Sequence, residues 1–509
     1  MNLIRQKLVT LRNRARDLQN ELRRWALYDD SVSAELREDL MVRMTPIEED
    51  SFETDLELTQ ARLRPVSVQL KTLGRWYDYV LEKINEQFDQ ARAMLDQGRY
   101  QECLNVLNDV EQRMLIPNEE TLGFAFRSLA QHAGHESHQK MAALDAIVRD
   151  LYLPTVKMAH ERSIVSKEML SLTPLVYLTE ASDMTYTWRQ HARNAVNFGR
   201  RLPVSMIAVP RTFIAHPWNF VAIAHEVGLS VYTDIELGWE MVNKLQTESL
   251  NSGVSPQTAA VWSRWHEVVF ADVFGTLKLG PAYVSGMIEL LGANGQADVA
   301  LDVNASLPPA YLRWHIMLQT LQFLNFQDQA RELANQIHML CGDPNQLAQQ
   351  CGPLWLTLLN ECRAITGVVA FSPCQKLGGA RVIDVAQPFL ASELQSAMRV
   401  KDLLLTGDES CSSDDSFTWT EPLNDTTVTA PITLAGLRLA FDSTAEFETS
   451  RRMWVRFWCL MQHLTNRCDA TREREDREFA PGDAALKSLA QKAVPALATS
   501  PIGRNGVLV

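Results

Sequence analysis

No stretch of this sequence approaches the roughly 18 uninterrupted apolar residues that read as a membrane span, and even "FVAIAHEVGLSVY" is interrupted by a His-Glu pair. The basic, amphipathic start "MNLIRQKLVTLRNRARDLQNELRRW" lacks the apolar core and cleavage site of a secretory signal, so it reads as a helix. The eight cysteines (Cys103, Cys341, Cys351, Cys362, Cys374, Cys411, Cys459, Cys468) contain no Cys-x-x-Cys pair, which argues against a zinc ribbon or a dense disulfide framework. Positive charge is not in excess: 49 Lys and Arg against 62 Asp and Glu leave a net charge of -13, so no nucleic-acid partner is expected. Gly378-Gly379 lacks the Lys-Ser/Thr of a phosphate-binding loop, and "DESCSSDDS" lacks the spaced Asp, Gly and Glu of a calcium loop. No Ser, His, Asp ordering announces a hydrolase triad.

What is present is an ordinary globular composition, 46% hydrophobic and 22% charged over 509 residues, enough for two to four domains and a reducing, cytoplasmic setting. Helical periodicity dominates. Residues 1–115 read as an amphipathic, coiled-coil-like and elongated helical region, with Pro65 separating or kinking helices. Within it Ala91, Leu95, Gly98, Tyr100, Cys103 and Leu107 are spaced as in a tetratricopeptide-type helical hairpin, and "LNFQDQARELANQIHML" echoes it at 324–340. Two echoes are too few for a solenoid, so amphipathic helices in a mixed bundle are expected. "RRLPVSMIAVPRTF" is the best strand candidate in the first half; Pro217 and Trp218 then open a helix through about Ser230, and another runs from Pro256 to Leu279. The expected architecture is mainly α: a central α+β domain over 116–300, a helical, weakly repeat-like part over 301–366, a mixed α/β region over 367–471, and a flexible tail over 472–509.

One constellation could carry chemistry. Zinc peptidases of the His-Glu-x-x-His class place two histidines one helical turn apart so that both imidazoles reach one ion, with the glutamate activating bound water. Here His225 and Glu226 are followed by Val227, Gly228 and, where the second histidine belongs, Leu229. About forty residues on, "WSRWHEVVFADVFGTLKLGPAY" holds His266, Glu267, Asp272 and Tyr283. Across residues 200–290 the chain resembles the gluzincin metallopeptidases, and bacterial metallopeptidase-like proteins whose motif reads His-Glu-Val-Gly-His. The resemblance implies a zincin-like central domain, zinc as cofactor, His225 and Glu267 as ligands, and Asp272 as the carboxylate that accepts a hydrogen bond from a ligand histidine. It further implies Glu226 as general base and Tyr283 as the phenol facing a tetrahedral intermediate.

Two departures count against that chemistry. Leu229 cannot bind metal, and Glu267 lies five residues before Asp272 where the family spacing is four. Five residues turn through about 500°, which leaves the two carboxylates about 140° apart on an ideal helix. His266, about 100° round the helix from Glu267, is the nearest substitute ligand. Asp272 lies on a side with Val261, Trp265, Val268 and Val269, so an ionised carboxylate there needs a partner, and His225 can serve even without metal. A second cluster, His132, His135, Glu136 and His138 in "QHAGHESH", reads as a solvated segment between helices, since Gly134 interrupts it.

Three readings follow. In the first the protein is a metallopeptidase-like pseudoenzyme with a degenerate zinc site, working as a scaffold or regulatory subunit through protein partners. In the second it is an active zinc endopeptidase using His225, Glu267 and His266. In the third it is a helical scaffold without zincin ancestry.

Overall fold

The computed structural model of the chain describes residues 2–26, 66–134, 137–165, 170, 172–180, 186–187, 204–293, 301–342, 347, 349, 351–406, 428–444 and 446–479. Pro65, His135, Glu136 and the acidic loop after Thr406 lie outside them. The described residues are mainly helical, and they divide into two compact units, one of 1–138, 188–206 and 473–509, the other of 139–187 and 207–472.

The first unit contains α1 (Asn2–Ala26), α2 (Ser67–Asp96), α3 (Tyr100–Val110) and α4 (Ile116–Ala133). The apolar face of α1 buries Leu8, Leu11 and Ala15, and the Tyr77 hydroxyl of α2 donates to the Ala15 carbonyl at 3.1 Å. Half-exposed ion pairs from Lys7 to Glu111 and from Arg14 to Glu111 and Glu119 line the edge of that contact, where such pairs contribute little each. Helices α2 and α3 turn at Gly98, whose φ of +75° favours glycine, and Ala91, Leu95, Cys103 and Leu107 are buried while Tyr100 faces outward.

The second unit begins with α5 (His138–Glu161) and a small sheet of β1 (Leu175–Thr179), β2 (Tyr186–Thr187) and β3 (Met206–Pro210). The central strand is β3; β2 pairs with it antiparallel, Tyr186 opposite Ala208, and all five β3 residues are buried. A 3-10 turn over Pro217–Ala222 leads into α6 (Ile223–Asp234), followed by α7 (Gly238–Asn251), α8 (Pro256–Arg264), α9 (His266–Leu279), α10 (Pro281–Ala293), α11 (Ala310–Phe323) and α12 (Gln327–Cys341). Then come α13 (Pro353–Phe371), α14 (Val382–Ala386), α15 (Ala391–Thr406), α16 (Ala430–Asp442) and α17 (Phe447–Phe479).

The single helix expected over 256–279 is two. It breaks at Trp265, which is fully buried and donates its indole N–H to the Ala305 carbonyl at 2.9 Å. The helix after the break, α9, is the axis of the unit. Every residue from Val268 to Leu279 is buried, so helices on several sides must cover it, and α6, α10, α11, α13 and α16 do so. That requirement draws in residues from 301 onward, since α11, α13 and α16 help to complete the core that α9 begins. The mixed α/β character expected of 367–471 is not seen among the described residues, which are helical apart from one bridge between Cys374 and Ala380. Helix α17 also runs past the expected fraying point at Arg472. By length and composition α13 could cross a membrane, yet half of its apolar window is buried and Glu361 within it accepts hydrogen bonds from Thr258 at 2.7 Å and Trp262 at 3.0 Å.

Two glycines set the spacing around α9. A Cβ on Gly228 would lie 3.1 Å from Ala271 Cα, so its absence lets α6 approach α9 closely. A Cβ on Gly275 would run into the Tyr283 ring, so that ring takes the space a side chain there would occupy. Gly275→Ala is therefore expected to cost about 1–3 kcal/mol through overpacking. Gly367→Ala, which meets nothing within 4 Å in the interior of α13, should gain about 0.5–1 kcal/mol from helix propensity. Denaturant unfolding of the two variants checks the opposite signs.

Lys278, at the C-terminal end of α9, is buried with its ammonium 5.5 Å from the Phe274 ring centroid. Burial lowers its pKa to about 7, while the Glu393 charge pulls the other way. Between about 7 and the unfolded value of 10.5 the unfolded chain binds more protons, so this group makes stability rise with pH across that window, and below it the full cost of burying the charge is present. Lys278→Met should raise the melting temperature at pH 7 and flatten the stability profile between pH 7 and 10.

Candidate functional site

The sequence-marked residues of α6, α9 and α10 meet at one buried carboxylate. Asp272, fully buried on α9, receives the His225 Nδ1–H at 2.9 Å and the Tyr283 hydroxyl at 3.2 Å, both on Oδ1. Arg313 of α11 grips the same group with a fork, Nε to Oδ2 at 2.8 Å and Nη2 to Oδ1 at 2.9 Å. Three helices thus place donors, one each from His225 and Tyr283 and two from Arg313, around one acceptor on a fourth.

The electrostatics follow from that arrangement. Burial alone would raise the Asp272 carboxyl, but the Arg313 charge and its hydrogen bonds, with His225 adding to them, hold it down at about 2. Burial lowers the His225 pKa, with Asp272 opposing and Arg313 reinforcing the shift. His225 is therefore neutral, and because an ionised carboxylate can only accept, its proton sits on Nδ1. Burial also drives the Tyr283 phenol well above its ordinary value, so Tyr283 stays protonated and acts as a donor to Asp272. For Arg313 burial works against the charge, but Asp272 outweighs it and raises the pKa.

The expected ligand set is not assembled. Among the described residues no group of three or more His, Cys, Asp or Glu side chains could hold a metal ion. His266 instead meets the Tyr232 hydroxyl at 2.6 Å, its ring stacked on that of Tyr232 with centroids 5.5 Å apart. Tyr232 lies seven residues beyond His225 on α6, about 10 Å along the helix axis, and this distance keeps His266 out of reach. Glu267 is half-buried in the first turn of α9, in keeping with its turn away from Asp272.

The pairs His225 with Asp272 and Tyr232 with His266 show that α6 and α9 run antiparallel, which sets Leu229 level with Val268. Val268 is the residue four before Asp272, where the gluzincin spacing puts a glutamate. Leu229 and Val268 are 6% and 4% exposed, so both ligand positions of the resemblance hold buried hydrophobic side chains. The residues present do not fit a zinc ion of that class.

Glu226 is buried beside this network, and its charge acts on both Tyr283 and Arg313. In the second cluster, His132 is not solvated: it is buried in α4 and its Nδ1 lies 2.7 Å from the Ser128 carbonyl, while Gly134 ends the helix as expected. Sequence reasoning missed Arg313. Its signal was available in "AYLRWHIMLQTL", where Arg313 is flanked by Tyr311, Leu312, Trp314 and Ile316 and, once buried, needs a partner.

The chain matches no protein-family model, no curated protein and no solved structure.

Removing one partner of a buried ion pair leaves the other charge uncompensated. Arg313→Met is expected to cost about 3–5 kcal/mol, and the double variant Asp272→Leu with Arg313→Met should recover much of that loss. Equal losses for the single and double variants in urea unfolding would contradict the pairing.

Proposed function

We propose that this protein is a metallopeptidase-like scaffold or regulatory subunit whose zinc site is degenerate, and which works through contacts with protein partners. The observation that carries the reading is the pair of apolar residues at the ligand positions. Leu229 stands one turn after His225, and Val268 stands one turn before Asp272, both buried. The support from Asp272 is of a different kind: the carboxylate that would orient a ligand histidine is balanced by Arg313, so the site is charge-compensated by the protein itself. A buried acid with its own arginine needs no metal to offset it.

The alternative, an active zinc endopeptidase with His225, Glu267 and His266 as ligands and Glu226 as base, is disfavoured by the commitment of His266 to Tyr232. What speaks for a histidine able to coordinate is the Nδ1 bond to Asp272. That bond fixes the tautomer with the lone pair on Nε2, the form a metal ligand requires.

Metal analysis of the purified full chain separates the two. Under the scaffold reading zinc is substoichiometric and unaffected by His225→Ala. Stoichiometric zinc that is lost on His225→Ala, together with peptide hydrolysis, would sink it. Leu229→His is the companion variant: newly acquired zinc binding points to a zincin-derived pocket, whereas loss of stability without metal binding favours a helical scaffold of other origin.

A further inference from the structure

A groove of about 890 Å³, open along one side, lies between the outer face of α13 and the C-terminal ends of α7 and α11. None of its lining residues belongs to the Asp272 cluster. Along α13 the face turned to the groove carries Asn360, Arg363, Gly367 and Phe371, and Phe323 and Asn251 stand on the other walls. From Asn360 to Phe371 the helix rises about 16 Å, the length of roughly five residues of extended chain.

Three features of this groove point to one ligand chemistry. First, among the described residues Arg363 has no counterion: its guanidinium lies 4.9 Å from the Phe323 ring centroid, and its Nη1 donates to the side-chain carbonyls of Gln319 and Gln322 at 3.4 and 3.3 Å. A guanidinium pre-oriented on an aromatic face keeps its remaining N–H donors available for a carboxylate. The acid across the groove, Glu248, is already bonded to Lys244 at 3.0 Å. Second, Phe323 and Phe371 stand with centroids 4.9 Å apart and offer an apolar end wall to a large side chain. Third, the Asn251 and Asn360 carboxamides each offer donors and an acceptor, the chemistry that pairs with a peptide's N–H and C=O groups. The floor is open at Gly367, which has no side chain, and a Cβ there would meet nothing within 4 Å.

We infer that this groove binds an extended peptide segment of about five residues from a partner protein, with an acidic side chain on Arg363 and a neighbouring aromatic side chain against Phe323 and Phe371. The inference deepens the scaffold reading by giving it a partner-binding surface. It does not depend on the state of the zinc-like site.

Fluorescence polarisation with the full chain tests it, using three fluorescein-labelled, end-blocked pentapeptides: one with Glu beside Phe, one with Lys in place of Glu, and one with Ser in place of Phe. The Glu-Phe peptide should bind, and the Lys and Ser versions should bind at least about tenfold more weakly, as expected for loss of one charge-assisted hydrogen-bond pair or one buried ring. Arg363→Gln should weaken the Glu-Phe peptide by a similar factor, Arg363→Lys should weaken it less, and Gly367→Leu should abolish binding by filling the floor. Far-ultraviolet circular dichroism and melting temperatures identify any variant that fails to fold, and the peptide comparisons on the unaltered chain hold regardless of the variants. No binding of the Glu-Phe peptide, equal binding of the Lys version, or binding untouched by both Arg363→Gln and Gly367→Leu overturns the inference. A zinc-free protein that fails the peptide assay loses only the groove. A zinc-loaded peptidase that passes it loses only the scaffold reading.

Discussion

An ionised carboxylate at zero exposure is the constraint around which the larger unit is arranged. Asp272 sits on α9, which is covered on all sides, and a charge there costs several kcal/mol unless donors and a countercharge are supplied. They come from three other helices: His225 from α6, Tyr283 from α10 and Arg313 from α11. Any packing of these helices that strands Asp272 without Arg313 is penalised, so the pair selects one arrangement among the many that a set of apolar helices could adopt. The small residues around it serve the same end, since Gly228 lets α6 come close enough for His225 to reach, and Gly275 leaves the surface on which Tyr283 lies.

The same network decides what the histidine can do. His225 is neutral because burial disfavours its charge, and it is a donor at Nδ1 because its partner is ionised. In a zinc enzyme that hydrogen bond prepares a ligand. Here the positions one turn away from it, Leu229 and Val268, are apolar, and the positive charge near the carboxylate belongs to an arginine. The cluster is consistent internally as a structural core, with both Asp272 oxygens matched by donors and the net charge of the Asp272–Arg313 pair cancelled.

Much of this was legible in the sequence, for identifiable reasons. The apolar surroundings of Asp272 announced that it needed a partner, and the strand at Met206–Pro210 and the helix after Pro217 were marked by prolines and β-branched residues. The hairpin at Gly98 could be read from small and apolar residues at helical spacing. Other features were not legible. The break at Trp265 is made by a long-range bond to Ala305, which no local pattern carries. His266 looked available as a ligand because its partner, Tyr232, lies 34 residues away in sequence. Nor was the cover that helices beyond residue 301 give to α9 legible, because it rests on contacts between segments far apart in sequence.

By itself the sequence determined the mainly helical character, through hydrophobic periodicity, and the absence of a second histidine at residue 229, through identity. Those are local properties, set by spacing along one segment. Only the tertiary structure decided which charge answers Asp272, which helices are buried on every face, and that His225, His266 and Glu267 do not converge. Such questions turn on pairs of residues tens of positions apart, whose meeting is set by how whole helices pack and not by the pattern within any one of them.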